Sequence, residues 1–324
     1  GTLIKFTTGL EWAPKTQDGI VQQEAFSKGF FGDLPYKWFS SAARAATGTD
    51  TLANTIGTVT EGLTVAFDPN NTKNVSLNLM RNPSVQEVYE PGSTGKVITI
   101  AAAIEEGKIS PETVMTIPYK LKRSNKVFSD HEPHPTQRLT LSGALAVSSN
   151  TGSIKVGEML SNDKLYEYLT KFGIGTKTGS GLPGESRGIL PKVADWSGTT
   201  APTVAFGQGY SLTAMQATSV FATIANDGVR VSPTVIAGTS DSSGNYTPSA
   251  TRESVRVISA ETAAQMRLMM ESVVSANGTA PSAAIPGYRV AGKTGTAQRI
   301  DDTCGCYRGY TASFIGFAPA DNPA

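Results

Sequence analysis

Long apolar stretches are missing from this sequence, and so is any imbalance of charge. The longest purely apolar runs fall far short of the ~20 residues a membrane-crossing helix needs, and no apolar secretory segment opens the chain. Lys and Arg number 28 against 27 for Asp and Glu, a net charge of +1 that gives no sign of nucleic-acid binding. Only two cysteines occur, Cys304 and Cys306, on either side of Gly305. They are too few for a structural zinc site by themselves. A bridge across one intervening residue would be strained and easily reduced, so two loop cysteines without shared chemistry are expected. The two histidines, His131 and His134, sit in Asp130-His131-Glu132-Pro133-His134. Pro133 denies them the helical geometry of an H-E-x-x-H metal motif, and a loop with solvated histidines is expected instead. No internal repeat stands out. At 324 residues the chain can bury a large core, as one large domain or two smaller ones.

What the sequence does contain is an ordered trio: Ser93-Thr94-Gly95-Lys96, Ser148-Ser149-Asn150 and Lys293-Thr294-Gly295-Thr296. Each pattern has decoys, among them Ser161 with Lys164 and Lys177-Thr178-Gly179. Context separates them. Ser93 follows Glu90-Pro91-Gly92, and Val97, Ile100, Ala101 and Ile104 then recur with helical spacing, so Ser93 opens a buried helix and Lys96 lies one turn on. Ser161 precedes Leu165, Tyr168, Leu169 and Phe172, the apolar face of a new helix, and reads as its cap. Lys293 lies in a strand-like stretch, Tyr288 to Ala297, whose glycines let a substrate backbone approach closely. Lys177 stands in a Gly, Thr and Ser-rich loop.

These residue types make one chemical unit. A serine hydroxyl needs a base, and a lysine serves only when its amine is neutral. Bringing a lysine from ~10.4 to ~7.5 requires differential interactions worth roughly 4 kcal/mol, which a second buried cation and desolvation supply. Lys293 is the candidate cation beside Lys96 and can also hold a substrate carboxylate. Ser148 can relay a proton between Lys96 and a leaving amine, and Asn150 can offer its amide to the substrate backbone. The backbone N–H groups of Ser93 and Thr296 would form an oxyanion hole.

The trio in this order resembles the signature of penicillin-binding proteins and serine β-lactamases. Glu90-Pro91-Gly92-Ser93, Leu182-Pro183-Gly184-Glu185-Ser186 and Phe206-Gly207-Gln208-Gly209-Tyr210 are similar to segments of the class B penicillin-binding proteins. Glu90 resembles their division-type subgroup more than the elongation type. The likeness runs from about Ala66 to about Asp321.

It implies an α+β transpeptidase fold: an antiparallel sheet flanked by helices, a helical lobe between the first two motifs, and the cleft between lobes. Residues 66–324 would form the penicillin-binding domain, with Tyr310–Phe317 as the fourth strand of the family sheet and the C-terminal strand and helix lacking. Residues 1–65 stay unassigned, and the chain is expected to be a fragment. The implied activity is a peptidoglycan D,D-transpeptidase with an acyl-enzyme on Ser93, acting with Lys96, Ser148, Asn150 and Lys293, and with Thr294, Gly295 and Thr296 binding substrate. Expected partners are peptidoglycan stem peptides, β-lactam antibiotics and division-machinery membrane proteins, with neither metal nor cofactor. The implied location is the cell envelope, on the extracytoplasmic face of the cytoplasmic membrane, anchored by an N-terminal helix outside this chain.

Two alternatives stay open: a β-lactamase or D,D-carboxypeptidase that passes the acyl group to water, and a non-catalytic penicillin-binding or divisome interaction domain. Glu158 and Asn162 share a spacing used to activate a deacylating water, but they follow Asn150 so closely that both are expected on its helix, with Glu158 solvated. Helical patterns fall near 93–106, 140–160, 163–172, 212–226 and 259–275, the last with Met266, Met269, Met270 and Val273 as a core stripe. Gly173–Gly188 and Gly238–Ala250 read as loops.

Overall fold

A computed structural model of the chain describes residues 82–323, apart from 235, 237, 250–251, 302–303 and 305. The unassigned segment 1–65 lies outside the described residues. The chain divides into two units at Glu87–Val88. Of the first, residues 82–87 are described: a single helical turn, Pro83–Gln86, capped by the Asn82 side chain, which accepts from the Ser84 N–H at 3.1 Å.

The second unit is built around helix α1 (Lys96–Glu105), in which every residue from Lys96 to Ile104 is buried. A helix apolar on all sides belongs inside a core rather than on its surface. Burying Ile98 and Ile100 so completely contributes roughly 2–3 kcal/mol each. Helices α2 (Leu141–Ala146), α3 (Asn150–Gly157), α4 (Asn162–Lys171), α5 (Thr200–Ala205), α6 (Ala214–Ala225) and α7 (Ala260–Val274) follow. Of these, α3, α4 and α7 pack directly on α1.

Hydroxyl caps set most helix starts. Thr140, Ser149, Ser161, Thr213 and Ser259 each accept a backbone N–H from the first turn of their helix. Ser161 is therefore the cap its context predicts, accepting from Lys164 N–H at 3.1 Å. The methionine stripe of α7 is core, with Met266, Met269, Met270 and Val273 all buried.

Ten strands among the described residues pair antiparallel, two by two: β1 (Val114–Ile117) with β4 (Gln137–Thr140), β2 (Lys120–Arg123) with β3 (Lys126–Ser129), β5 (Val229–Val231) with β8 (Ser254–Arg256), β6 (Gly238–Ser240) with β7 (Tyr246–Pro248), and β9 (Ala291–Asp301) with β10 (Cys306–Phe317). In the last pair Lys293 stands opposite Ile315 and Gly295 opposite Ser313. This hairpin lies against α7 through β9 and against α6 through β10, which places helices and antiparallel strands in an α+β arrangement.

Several expectations need correction. The helix predicted over 140–160 is two helices, broken where Ser148 takes a left-handed backbone with φ 59°. Asn162 does not share the helix of Asn150 but begins α4. Glu158 is exposed, as expected, and its carboxylate also pairs with the Arg123 guanidinium, Nη2 to Oε2 at 2.8 Å with Nε on the other oxygen. The lobe carrying the first two motifs holds two β pairs, β1–β4 and β2–β3, besides its helices. The segment read as a loop at 238–250 contains the β6–β7 hairpin. Cys304 and Cys306 are joined, with an S–S distance of 2.03 Å. His131 is solvated as expected, but His134 is not: its side chain is only 15% exposed and lies on Asp130.

Candidate active site

The Ser93 turn is clamped before the helix begins. Gly92-Ser93-Thr94-Gly95 forms a single 3-10 turn that runs directly into α1. Gly92 has φ +54°, and a Cβ there would lie 2.7 Å from the carbonyl oxygen of Thr296 on β9. On the other side its N–H donates to Gly207 O at 2.8 Å, while Gly207, at φ +92°, approaches so closely that a Cβ would stand 1.8 Å from Gly92 O. Only glycine satisfies both the dihedral and the clearance at these two positions. The Glu90 carboxylate accepts the Gly209 N–H at 2.9 Å, and Thr94 Oγ1 donates to Pro91 O at 2.8 Å. Ser93, half-buried, is thus held between β9 and the 206–210 segment. The Phe206–Tyr210 stretch singled out in the sequence has a mechanical role: it braces the turn.

One turn on, Lys96 is fully buried, and its Nζ donates to Ser148 O at 2.5 Å and lies 3.2 Å from Ser148 Oγ. Lys293, equally buried, reaches the same oxygen from β9 at 2.9 Å and also donates to Thr294 O at 3.1 Å and Thr294 Oγ1 at 3.2 Å. Two amines on one hydroxyl cannot both be charged cheaply. Burial, the charge of Lys293 and, in the opposite sense, that of Asp130 act on Lys96, with the result that its amine is held well below the ordinary lysine range. Burial brings Lys293 down to about 7. Because the charge of one lysine depresses the other, we place the neutral amine on Lys96 and the residual charge on Lys293. Ser148 Oγ has one proton and two lone pairs, so it can accept from one amine while donating to the other once that one is neutral.

Ser148 holds this position in a backbone conformation that costs a non-glycine residue on the order of 1–3 kcal/mol. It persists because its neighbours leave no alternative. Ser149 caps α3, and Asn150 Nδ2 donates to Ser129 O at 3.0 Å, so the amide predicted to face substrate is also part of the frame. On β9 the alternation of a strand sorts the remaining predicted residues. Lys293, Gly295 and Ala297 are buried, Gly295 against the Ser93 turn, whereas Thr294 is half-buried and Thr296 exposed. The Thr294 hydroxyl also meets Thr279 Oγ1 at 2.7 Å.

Lys96, Ser148 and Lys293 are therefore in direct contact, the Ser93 turn packs against Gly295 and Thr296 on β9, and Asn150 opens α3 two residues after Ser148. Sequence reasoning missed Asp130, whose carboxylate accepts from Ser149 Oγ at 2.7 Å and from Thr151 N–H at 2.8 Å. No periodicity or local spacing marks it, since its partners lie 19 and 21 residues away.

The penicillin-binding protein transpeptidase domain matches residues 60–324, and the chain belongs to that family, within its class B members. The penicillin-binding protein PbpB of Mycolicibacterium smegmatis is 39% identical over 296 residues, covering 87% of this chain and 46% of the relative. The peptidoglycan D,D-transpeptidase FtsI of Escherichia coli K12 is 32% identical over 269 residues, covering 80% of this chain and 42% of the relative. The crystal structure of penicillin-binding protein 3 from Mycobacterium tuberculosis complexed with aztreonam superposes with a TM-score of 0.75 at 39% identity, over 80% of this chain and 59% of that one. The chain thus spans under half the length of the PbpB and FtsI relatives it matches.

Proposed function

We propose that this chain carries the acyl-transfer unit of a peptidoglycan D,D-transpeptidase with Ser93 as nucleophile. The observation behind this reading is the meeting of two buried lysine amines on Ser148 Oγ, one of them that of Lys96, a helical turn after Ser93. Neutral Lys96 takes the Ser93 proton as Oγ attacks the carbonyl carbon of a terminal D-Ala-D-Ala bond, and the backbone N–H groups of Ser93 and Thr296 hold the developing oxyanion. Lys96 passes that proton through Ser148 to the nitrogen of the departing D-alanine. An amine of a second stem peptide then attacks the ester carbonyl and yields its proton to the same relay, and Ser93 regains it as the cross-link forms. Lys293, Thr294, Gly295 and Thr296 receive the substrate carboxylate and backbone along β9, and Asn150 presents its amide across from them.

β-Lactams, which present a comparable strained amide, acylate Ser93 and stay. The Arg123 pair on Glu158 supports transfer over hydrolysis, since it engages both oxygens of the carboxylate spaced to activate water. We assign residues 66–324 to this domain. The name of the Escherichia coli relative supports the peptidoglycan substrate, while the division role, the envelope location, the membrane anchoring and the membrane proteins of the division machinery as partners rest on the class B resemblance around Glu90. Incubation with a labelled penicillin followed by peptide mapping tests the reading: the label is expected on Ser93 at one equivalent. Label elsewhere, or none, refutes it. Rapid turnover without an accumulating acyl-enzyme would favour the hydrolytic alternative.

A further inference from the structure

The segment Ser129-Asp130 grips three successive residues, Ser149 and Asn150 of the second motif and Thr151 after it. Ser129 O accepts from Asn150, Asp130 Oδ2 from the Ser149 hydroxyl and Asp130 Oδ1 from the Thr151 N–H, with Thr151 Oγ1 a more distant 3.5 Å from Oδ2. Asp130 is itself buried, at 8% exposure, and its carboxylate sits at the N-terminal end of α3, where a negative charge is favoured. Behind it His134 Nε2 lies 3.0 Å from Oδ2, while His134 Nδ1 lies 2.7 Å from Pro135 O. A carboxylate and a carbonyl both accept, so the ring satisfies both contacts only with a proton on each nitrogen. The Pro135 carbonyl and the Asp130 carboxylate thereby raise the proton affinity of His134 above the ordinary histidine value, and the ring stands behind Asp130 in edge contact with Tyr119 at 5.7 Å between ring centroids. The residue this frame presents next is Ser148, strained at φ 59° and touched by both lysines.

We propose that Asp130, backed by His134, is a positioning residue for acyl transfer: its carboxylate locks the Ser148–Asn150 loop and sets the electrostatic balance of the two-lysine site. The proposal rests on the acyl-transfer reading of Ser93 and Lys96. Among the described residues, the charged groups acting on Lys96 are Lys293 from β9, which favours loss of its proton, and Asp130 from the turn after β3, which opposes it. Removing the charge of Asp130 while keeping its shape has two separate consequences. The loop loosens, which slows acylation at every pH. Lys96 also surrenders its proton more readily, so the acid limb of the rate profile moves to lower pH. A residue that merely stabilised the fold would produce no such displacement.

The experiment is the second-order rate of acylation of the full chain by a fluorescent penicillin, measured across pH for the unsubstituted protein, Asp130→Asn and His134→Gln. Asp130→Asn is expected to lower the plateau on the order of tenfold, the scale of a small misplacement of reacting groups, and to shift the acid limb downward. His134→Gln, which leaves the carboxylate in place, is expected to lower the plateau several-fold, and keeps the test decisive if Asp130→Asn does not fold. A parental plateau in either variant, or an unmoved acid limb in Asp130→Asn, overturns the proposal while leaving the acyl-transfer reading intact. Failure of the unsubstituted chain to label at Ser93 overturns both.

Discussion

Replacing Lys293 with methionine should make the protein more stable at neutral pH and less so in alkali. The amine is fully buried and comes down from the ordinary lysine value of 10.5 to about 7. At pH 7 that displacement corresponds to roughly 5 kcal/mol of unfavourable burial, at about 1.4 kcal/mol for each unit. Methionine keeps the unbranched stem and removes the ionisable group. It also forfeits the donations to Ser148 Oγ, Thr294 O and Thr294 Oγ1, worth about 1 kcal/mol each. A net gain of roughly 2 kcal/mol follows, or on the order of 5 °C in Tm for a unit of this size.

The sign of the pH dependence is the sharper test. Between pH 7 and 10.5 the unfolded chain binds a proton at this lysine that the folded chain does not, so the stability of the unsubstituted protein climbs as pH rises. Lys293→Met lacks that slope. Its advantage should be largest near pH 7, shrink through pH 9 and reverse near pH 10.5, where the parent has no burial deficit and retains its hydrogen bonds. Thermal or denaturant unfolding of both proteins at pH 7, 8, 9 and 10 reads this directly. A difference constant with pH, or a variant less stable at pH 7, would refute the burial that lowers the proton affinity of Lys293.

Other outcomes follow from the same geometry. Ser93→Ala should abolish penicillin labelling and Lys96→Arg should nearly abolish it, because a guanidinium stays charged and cannot act as base; near-normal labelling of the arginine variant would remove Lys96 from that role. Gly207→Ala should cost several kcal/mol and slow acylation, since its methyl would stand 1.8 Å from Gly92 O at the foot of the Ser93 turn; unchanged melting and acylation would show that the clamp is slack. Glu158→Gln should leave the lifetime of the acyl-enzyme unaltered and lower stability by less than about 1 kcal/mol, as expected for a partly exposed ion pair; a markedly longer lifetime would reveal a part in deacylation.

Local spacing made the cap at Ser161, the methionine face of α7 and the strand at Lys293 legible, because helix starts, apolar periodicity and alternation are written in neighbouring residues, whereas the order of the three motifs was read from the family resemblance. The same patterns distinguished Ser93 from Ser161 and Lys293 from Lys177. They also required some second cation beside Lys96, without saying which oxygen the two amines would share. Only the folded chain decided that it is Ser148 Oγ, that the helix breaks there into a left-handed residue, that Glu158 answers to Arg123 and that Asp130 holds the loop from behind. Each of those depends on groups brought together from distant stretches in a water-poor interior, where burial and a neighbouring charge reset a lysine's proton affinity. Sequence proximity carries no trace of that environment.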